Sequence, residues 1–339
     1  MNQETKPQVL VTGAAGFIGS HVCDCLAAKG YAAVGFDDLS GGFQDNLGSR
    51  VVFEKGSVTD PKRVKELFEK YRFEYVFHLA AYAAEGLSHF IRSFNYANNL
   101  LGSVNLLNAS IKAGTVKCFV FASSIAVYGR NQLPMTEDTV PAPEDPYGIA
   151  KYAVELDLKA AQEMFGLNYV IFRPHNVYGE RQNIADPYRN VVGIFMNQIM
   201  QGKEMTIFGD GNQTRAFSYI SDVAPVIAAS IERLECYNQI FNVGADTPYS
   251  VLHLAKVVGT FMSSAAKIKF LPPRNEVVDA YSTHDKVRKH FGDLIPGVDL
   301  KTGVRKMAEW AKRVGPRQGA KFSNIEVEKN LPESWRLLT

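Results

Sequence analysis

The sequence constrains the fold most strongly through an alternation of short apolar runs with amphipathic segments over its first half. The runs QVLVTG, AAVGFDD, VVFEKG, YVFHLAA, CFVFASS and NYVIFRP are rich in β-branched and aromatic residues, and the segments between them carry apolar residues at helical spacing. Strands that alternate with helices form βαβ units, which place the strands parallel in one sheet. We therefore predict an α/β fold with a Rossmann-type doubly wound parallel sheet.

Beyond about residue 175 this alternation gives way to loops rich in Pro, Gly and Asn. Such a change is typical of a smaller, less regular lobe. We predict two units: a Rossmann-type domain over residues 1–175, completed by about 217–243, and a smaller mixed α/β lobe formed by 176–216 and 244–339.

The composition is that of an ordinary globular protein. With 339 residues, 46% of them hydrophobic, the chain can bury a large core. Its 37 Lys and Arg residues against 35 Asp and Glu give a net charge of +2, without a long run of like charges. We therefore expect no nucleic-acid partner and no membrane partner, and an anionic ligand must be bound by a local site.

The N-terminal residues allow a prediction of localisation, and the spacing of the cysteines and histidines allows a prediction about metal binding. Residues 1–8 are polar and lead directly into a strand, and no apolar run approaches the length of a membrane span, so we expect a cytoplasmic protein without a signal peptide. The four cysteines include no CxxC pair, and His78, His175 and His284 show no ligand spacing. We expect reduced thiols and no metal site, with His78 as a hydrogen-bonded core residue.

A glycine-rich segment follows the first strand directly. VLVTGAAGFIGSHV places Gly13, Gly16 and Gly19 between a strand and a helix, where side chains would block a pyrophosphate from the N-terminus of that helix. Three glycines alone are also compatible with a tight turn. However, Asp37 ends the next apolar run, 18 residues after Gly19, where a carboxylate can accept hydrogen bonds from ribose hydroxyls. Because the residues after Asp37 offer no arginine for a 2′-phosphate, the pattern favours NAD over NADP.

Three residues form a candidate catalytic group. Tyr147 and Lys151 stand four apart in PYGIAKYAVE, so on a helix both project from one face, and the ammonium favours the phenolate of a general base. Ser124 follows the run CFVFAS, and the carboxyl ends of parallel strands are where such sheets bind ligands. Taken singly, a YxxxK pair usually decorates a solvent face and a serine at a strand exit usually caps it.

The ordered motifs TGAAGFIG, HLAA, NNLLGSVNLL, SSIAVYG, YGIAK and RPHNVYG resemble those of the extended short-chain dehydrogenase/reductases. Within that group the sequence is most similar to the NAD-dependent epimerase/dehydratase family around UDP-glucose 4-epimerase. The similarity runs from about residue 8 to about residue 310. It implies a Rossmann fold, a permanently bound NAD and a UDP-sugar substrate.

The resemblance also implies roles for individual residues. Tyr147 would remove the proton of a sugar hydroxyl while a hydride passes from the sugar carbon to NAD. Lys151 would assist Tyr147 and bind the nicotinamide ribose, and Ser124 would bind the substrate. In an epimerase the 4-keto sugar then turns over and takes the hydride back on its other face.

The residues that the resemblance places around the cofactor come from eight segments. They are Gly13, Gly16, Phe17, Ile18, Gly19, Asp37, Asp38, Ser57, Val58, Leu79, Ala80, Ala81, Asn99, Ser123, Tyr147, Lys151 and Pro174. One segment departs from the family pattern, because the usual GDxxD reads GSVTD at 56–60. The hydroxyl of Ser57 there is a weaker hydrogen-bond acceptor for the adenine amine than a carboxylate.

The residues that the resemblance implies for substrate binding surround the sugar and the diphosphate. They are Ser124, Tyr147, Asn176, Asn190, Val191, Phe208, Arg215, Arg274 and Tyr281. The two arginines match residues that bind the diphosphate, a ligand suited to a bidentate guanidinium. Tyr281 falls where 4-epimerases limit the size of the group at C2, which favours a hexose over its N-acetylamino form. Three positions on, the family's acidic residue is replaced by His284.

The choice of reaction rests on the residues after the fifth strand. Related 4,6-dehydratases carry an Asp-Glu pair there, and decarboxylating relatives carry a glutamate nearby, because both reactions need additional acid or base groups. Ser124 and Ile125 occupy these places. The pattern therefore favours a 4-epimerase that interconverts UDP-glucose and UDP-galactose, with UDP-glucuronate as an alternative substrate.

Two other functions stay open at this point. A net nucleotide-sugar reductase or oxidase would release its cofactor at each turnover, and a dinucleotide-sensing regulator would keep the fold without the chemistry. Family members pair through two long helices, and the segments 99–113 and 147–165 show mixed apolar surfaces. We therefore predict a homodimer formed through a four-helix bundle.

Overall fold

The computed structural model describes residues 6–130, 133–263, 267–273, 279–317, 322 and 324–336. The strands are β1 (Gln8–Thr12), β2 (Ala32–Asp37), β3 (Val52–Lys55), β4 (Phe73–His78), β5 (Cys118–Ala122), β6 (Tyr169–Pro174), β7 (Val177–Tyr178), β8 (Met205–Phe208), β9 (Thr214–Ala216), β10 (Ser218–Tyr219), β11 (Gln239–Val243), β12 (Pro248–Ser250), β13 (Ile268–Leu271) and β14 (Asp279–Ala280).

Helices connect most of these strands. They are α1 (Phe17–Ala28), α2 (Pro61–Lys70), α3 (Glu85–Ser88), α4 (Arg92–Tyr96), α5 (Gly102–Ala113), α6 (Pro146–Phe165), α7 (Val191–Met200), α8 (Ala224–Ala229), α9 (Val251–Met262), α10 (Asp285–Phe291), α11 (Leu300–Val314) and α12 (Glu333–Arg336). A π-helical segment, Ala97–Leu101, links α4 to α5.

A seven-stranded sheet forms the centre of the molecule, with the order β11-β6-β5-β4-β1-β2-β3. Every pairing in it is parallel. Strands β2 and β3 follow on one side of β1, whereas β4, β5, β6 and β11 follow on its other side, as in a doubly wound fold. This confirms the predicted Rossmann-type architecture.

Both faces of the sheet are buried, which explains the continuous apolar runs in the sequence. In β5, Cys118 and Val120 face one core, whereas Phe119 and Phe121 face the other. The first core is covered by helices that include α1 and α8, and the second by α2, α5 and α6. Because side chains alternate along a strand, each strand contributes to both cores.

The second half of the chain contributes to two regions. Strand β11 pairs with β6 and extends the central sheet. The other strands after β6 form three small sheets, β10-β7, β12-β9-β14 and β13-β8, and helices α7, α9 and α11 pack together around them. We propose that residues 1–175 with 217–243, and 176–216 with 244–339, are the two domains of the chain.

Of the helices described, none is sufficiently long and apolar to span a lipid bilayer. The four cysteines are free thiols. His78 is fully buried and hydrogen-bonded on both ring nitrogens, to Thr12 at 2.8 Å and to Ser103 at 2.7 Å, as expected for a core histidine.

Candidate active site

The glycine loop lies at the carboxyl edge of the central sheet, between β1 and α1. Gly13 has φ +67°, and a Cβ atom on it would lie 2.7 Å from the backbone nitrogen of Ala80 at the end of β4. No described side chain caps α1 at Gly16, and its first turn carries no acidic residue. The loop therefore leaves the N-terminus of α1 accessible to an anion, which fits the pyrophosphate of a dinucleotide.

Asp37 ends β2 next to this loop. Its carboxylate accepts hydrogen bonds from the backbone N–H of Ala15 at 3.0 Å and of Leu39 at 2.7 Å. Burial raises the pKa of Asp37, while these N–H groups act in the opposite direction. Since each carboxylate oxygen has a second lone pair, Asp37 can still accept hydrogen bonds from ribose hydroxyls.

Ser124 and Tyr147 meet where β5 ends. The Ser124 hydroxyl lies close enough to the Tyr147 phenol to counter the rise in the pKa of Tyr147 that burial causes, and Ser124 accepts a hydrogen bond from the N–H of Ala126 at 3.1 Å. Gly148 permits this contact, because a Cβ on it would lie 2.5 Å from the Ala126 carbonyl. Asp145 caps α6 through the N–H of Gly148 at 2.9 Å and so fixes the start of the helix that presents Tyr147.

Lys151 lies one helical turn beyond Tyr147, with both side chains on one face as predicted. Its ammonium donates to the Ala122 carbonyl at 2.6 Å and lies 5.8 Å from the centroid of the Tyr147 ring. Burial lowers the pKa of Lys151 to about 7, opposed by the charge of Glu155. Burial raises the pKa of Tyr147, and the hydrogen bond from Ser124 acts against this rise.

The long cleft at this edge of the sheet brings most of the predicted site residues together. Those that line it are Gly13, Gly16, Phe17, Ile18, Gly19, Asp37, Asp38, Ser57, Val58, Leu79, Ala80, Ala81, Ser123, Ser124, Tyr147, Lys151, Pro174, Asn176, Asn190, Val191, Phe208 and Arg215. A dinucleotide-binding loop, a strand-end serine and a Tyr-Lys pair in one cleft are the parts of a nicotinamide-dependent enzyme.

Comparison with known families tests this reading. The sequence model of the "NAD dependent epimerase/dehydratase family" matches residues 9–244, which is more than half of the chain. The chain belongs to this family.

Individual relatives of this epimerase/dehydratase family member match almost end to end. The putative UDP-glucose 4-epimerase of Methanocaldococcus jannaschii is 34% identical over 308 residues, covering 90% of this chain and 98% of the relative. The crystal structure of UDP-glucose 4-epimerase with UDP-glucose from Thermotoga maritima is 36% identical, with a TM-score of 0.84, and covers 91% of this chain and 99% of that one.

A third relative has a different sugar in its name. The structure of UDP-glucuronic acid 4-epimerase from Bacillus cereus, in complex with UDP-glucuronic acid and NAD, is 28% identical with a TM-score of 0.82, covering 91% of this chain and 99% of that one. The family and its solved members confirm NAD as the cofactor. In this epimerase/dehydratase family member, the glycine loop and Asp37 are the groups that would hold it.

Two residues that were predicted to line the site do not. The buried amide of Asn99 bonds to the Tyr82 backbone at 2.9 and 3.2 Å and to Asn95 at 2.8 Å, so it supports the wall behind the cleft, whereas its neighbour Asn98 lines it. In the other lobe Ala280, not Tyr281, lines the cleft. Arg274 lies outside the described residues.

Ser123 lines the cleft, but its hydroxyl is hydrogen-bonded within the protein. It donates to the buried carboxylate of Glu155 at 2.5 Å, and its N–H donates to the carbonyl of Phe172 at 2.7 Å. Ser123 therefore holds the end of β5 to its neighbours, while Ser124 faces the site.

Sequence reasoning missed several residues at this cleft. Tyr82, Glu85, His89 and Arg189 line it, although they belong to no recognised motif. In the sequence, only their position in the two segments after β4 and β7 indicated that they could belong to the site.

Two of the histidines without ligand spacing in the sequence are neighbours in the structure. The structure brings His175 and His284 together, with their Nε2 atoms 2.9 Å apart, and Asp246 lies 2.6 Å from Nδ1 of His284. Nδ1 of His175 lies 2.9 Å from the carbonyl of Ala216. Both ring nitrogens of each histidine are therefore used in hydrogen bonds within the protein, which favours a structural role.

Proposed function

We propose that this protein interconverts UDP-glucose and UDP-galactose by epimerisation at C4 of the hexose. The observation that carries the proposal is the placement of Ser124, Tyr147 and the Lys151 ammonium together, in the same cleft as the glycine loop. Bound NAD supplies the acceptor and donor of the hydride at C4. The protein itself must bind the sugar, move one proton and exclude water.

Tyr147 is the group that moves the proton. Its phenol is buried, so it requires nearby positive charge or hydrogen-bond donors to accept a proton from the sugar 4-hydroxyl at neutral pH. The Lys151 ammonium and the Ser124 hydroxyl provide these. Ser124 can also orient the reacting hydroxyl toward Tyr147, because it sits at the end of the buried strand β5.

Contacts across the glycine loop support a cofactor that stays bound between turnovers. The N–H of Phe43 and the amide of Asn46 both donate to the Ala15 carbonyl, at 3.0 and 2.9 Å. Asn46 also reaches the carbonyl of Arg181 at 3.4 Å, and Asn183 reaches that of Gly41 at 3.4 Å. The second lobe thus holds the chain after β2 against the loop. Retention suits an epimerase better than a net reductase or oxidase.

Charges in the cleft favour a neutral hexose over a uronic acid. The Glu85 carboxylate lies close enough to Tyr147 to raise its pKa further. Two arginines of the cleft are already paired with carboxylates, Arg130 with Glu144 at 3.1 Å and Arg189 with Asp186 at 2.7 Å. A sugar carboxylate would add a negative charge to a cleft that already holds the Glu85 carboxylate. Since Tyr281 does not line the cleft, a size limit at C2 provides no support for either hexose type.

The proposal is tested by incubating the purified protein, without added NAD, with UDP-glucose, UDP-galactose, UDP-glucuronate and the N-acetylamino sugars, and separating the epimers by chromatography. We expect conversion between UDP-glucose and UDP-galactose only. The matched control, Tyr147→Phe, should retain NAD but lose about 10²–10⁴-fold in kcat. Epimerisation of UDP-glucuronate alone, or turnover that requires added cofactor, would overturn the proposed activity.

The same protein should be a homodimer. Helix α6 exposes Leu156, Met164 and Phe165, with Met164 74% and Phe165 63% exposed, and Leu101 before α5 is 58% exposed. Large apolar side chains on one surface are typical of an interface between subunits. Sedimentation at micromolar concentration should give the dimer mass, and Leu156→Glu with Phe165→Glu should give the monomer. A wild-type monomer would contradict the expectation.

A further inference from the structure

The C-terminal residues 322 and 324–336, here called the tail, pack against one wall of the cleft. The ring of Phe322 contacts Tyr82, with centroids 5.5 Å apart, and Phe94, with centroids 5.0 Å apart. Tyr82 and Phe94 both line the cleft. The tail lies beyond residue 310, where the family resemblance ends.

A second anchor of the tail is Glu326. Its carboxylate accepts hydrogen bonds from the N–H of Ser93 at 2.7 Å and of Phe94 at 2.9 Å, in the first turn of α4. The N–H groups of Glu326 and Val327 donate to the carbonyl of Phe90, at 2.8 and 3.2 Å. The tail therefore supplies the acceptor that the N-terminus of α4 lacks within its own sequence.

Trp335 is the third anchor and is only 3% exposed. Its ring packs edge-on against Phe90 at 6.2 Å and against Tyr188 at 5.4 Å. Tyr188 belongs to the loop after β7 and lines the cleft, and its neighbour Arg189 stacks on Tyr82 at 4.8 Å. The tail thus contacts cleft-lining residues from two separate segments, the one after β4 and the one after β7.

The segment under the tail has few local contacts that could fix its position. Helix α3 has only four residues, fewer than an isolated helix needs, and α4 is the start of a helix that continues through the π-helical segment into α5. These elements carry or flank Glu85, His89 and Asn98, which line the cleft. The position of α3 and of the uncapped start of α4 must therefore depend on contacts with other segments.

We propose that the tail is a positioning element for the sugar site, with Trp335 and Glu326 as positioning residues that hold residues 82–98 in place for substrate binding. The inference rests on the proposed function, since it names the sugar as the ligand of this wall. Neither residue touches the cleft, so the tail acts through Tyr82, Phe94 and the short helices.

The kinetic test compares Trp335→Ala with Val327→Ala, whose side chain is exposed on the same tail. For Trp335→Ala we expect KM for UDP-galactose to rise about tenfold, while the bound NAD stays stoichiometric, because small displacements of a binding wall are costly. Trp335→Phe should recover most of the affinity. An unchanged KM in Trp335→Ala would overturn the inference, even if its melting temperature falls.

Hydrogen–deuterium exchange tests the same inference without turnover. Amides of residues 85–98 should exchange at least fivefold faster in Trp335→Ala than in Val327→Ala, whereas those of α1 should not change. If Trp335→Ala does not fold, the exchange rates of the same amides are compared between Glu326→Ala and its control Glu328→Ala. Glu326→Gln should give exchange rates between those of these two variants. Equal exchange in the variant and its control would refute the positioning role. A wild-type protein inactive on every UDP-sugar would refute the proposed function, while the exchange data would still decide the role of the tail.

Discussion

Arg173 and Glu155 form an ion pair inside the protein, with Nη2 of the arginine 2.5 Å from Oε2 of the glutamate and side chains that are 2% and 0% exposed. Nε of Arg173 also donates to Oε1 at 3.0 Å, and the phenol of Tyr128 lies 2.8 Å from Nη1. Ser123 donates to the same carboxylate. The pair therefore ties β5, β6 and α6 together directly behind Ser124 and Tyr147.

We expect Glu155→Gln to destabilise the protein by about 3–5 kcal/mol, because it leaves the Arg173 guanidinium buried without a counter-charge. Urea unfolding at pH 7.5 measures the free energy of unfolding. The matched control is Glu69→Gln, which removes the exposed partner of Lys65 at 3.5 Å and should cost less than about 0.5 kcal/mol. Similar losses in the two variants would contradict a special role of the buried pair.

A second prediction concerns acid stability. Burial lowers the pKa of His78 and of His175 to about 3. An unfolded histidine titrates near pH 6.5, so between about pH 6.5 and 3 the unfolded chain binds two protons that the folded chain does not. Each histidine should therefore reduce the free energy of unfolding by about 1.4 kcal/mol per pH unit as the pH falls through this window.

Urea unfolding at pH 6.5, 5.5 and 4.5 checks the slope. In His175→Gln the slope should decrease by the contribution of one histidine, whereas the exposed His253→Gln should keep the wild-type slope. The same slope in His175→Gln and wild type would show that His175 takes up a proton in the folded state.

A site residue could be placed from the sequence where local structure sets the orientation of its side chain. Gly13, Tyr147 and Lys151 could be placed because strand-loop-helix geometry and the helical repeat fix their directions. For Asn99 and Tyr281 the motifs indicated only the segment, and it is their neighbours Asn98 and Ala280 that line the cleft. Which residue of each segment does so depends on the π-helical segment at 97–101 and on the pairing of the chain near β14, neither of which a motif reveals.

The contacts between distant segments were beyond sequence reasoning altogether. His175 and His284 are 109 residues apart in the chain and meet only because the second lobe folds back on β6. The approach of Glu326 to α4 spans 233 residues. Such contacts follow from the packing of the lobes, for which the sequence offers no local signal.

The glycine loop leads to a third prediction. Gly13→Ala should abolish stoichiometric NAD binding, because a Cβ would clash with the backbone of Ala80 at 2.7 Å in addition to the strain at φ +67°. Gly166→Ala is the matched control: its φ is +71°, but nothing lies within 4 Å of the added atom. It should cost about 1–2 kcal/mol in stability and leave NAD bound. NAD released by heat and quantified by chromatography decides between them.

The last prediction separates stability from activity at Lys151. In the folded state burial lowers its pKa to about 7, whereas in the unfolded chain it titrates near 10.4. Between these values the unfolded chain binds a proton that the folded chain does not, so the lysine costs stability, and this cost grows as the pH falls from about 10 to 7.

Lys151→Met should therefore raise the free energy of unfolding at pH 7.5, by roughly 1–3 kcal/mol once the lost hydrogen bond to Ala122 is taken into account. The same variant should lose about 10²–10⁴-fold in kcat, because Tyr147 loses the charge that favours its phenolate. Lys159→Met, exposed on the same helix, is the matched control and should change neither quantity appreciably. Urea unfolding and the epimer assay are run on the same preparations, with the NAD content of each measured. If the Lys151→Met protein were both inactive and less stable than wild type, the ammonium would be a stabilising link between β5 and α6. The expectation that Lys151 lowers the stability of the fold would then be wrong.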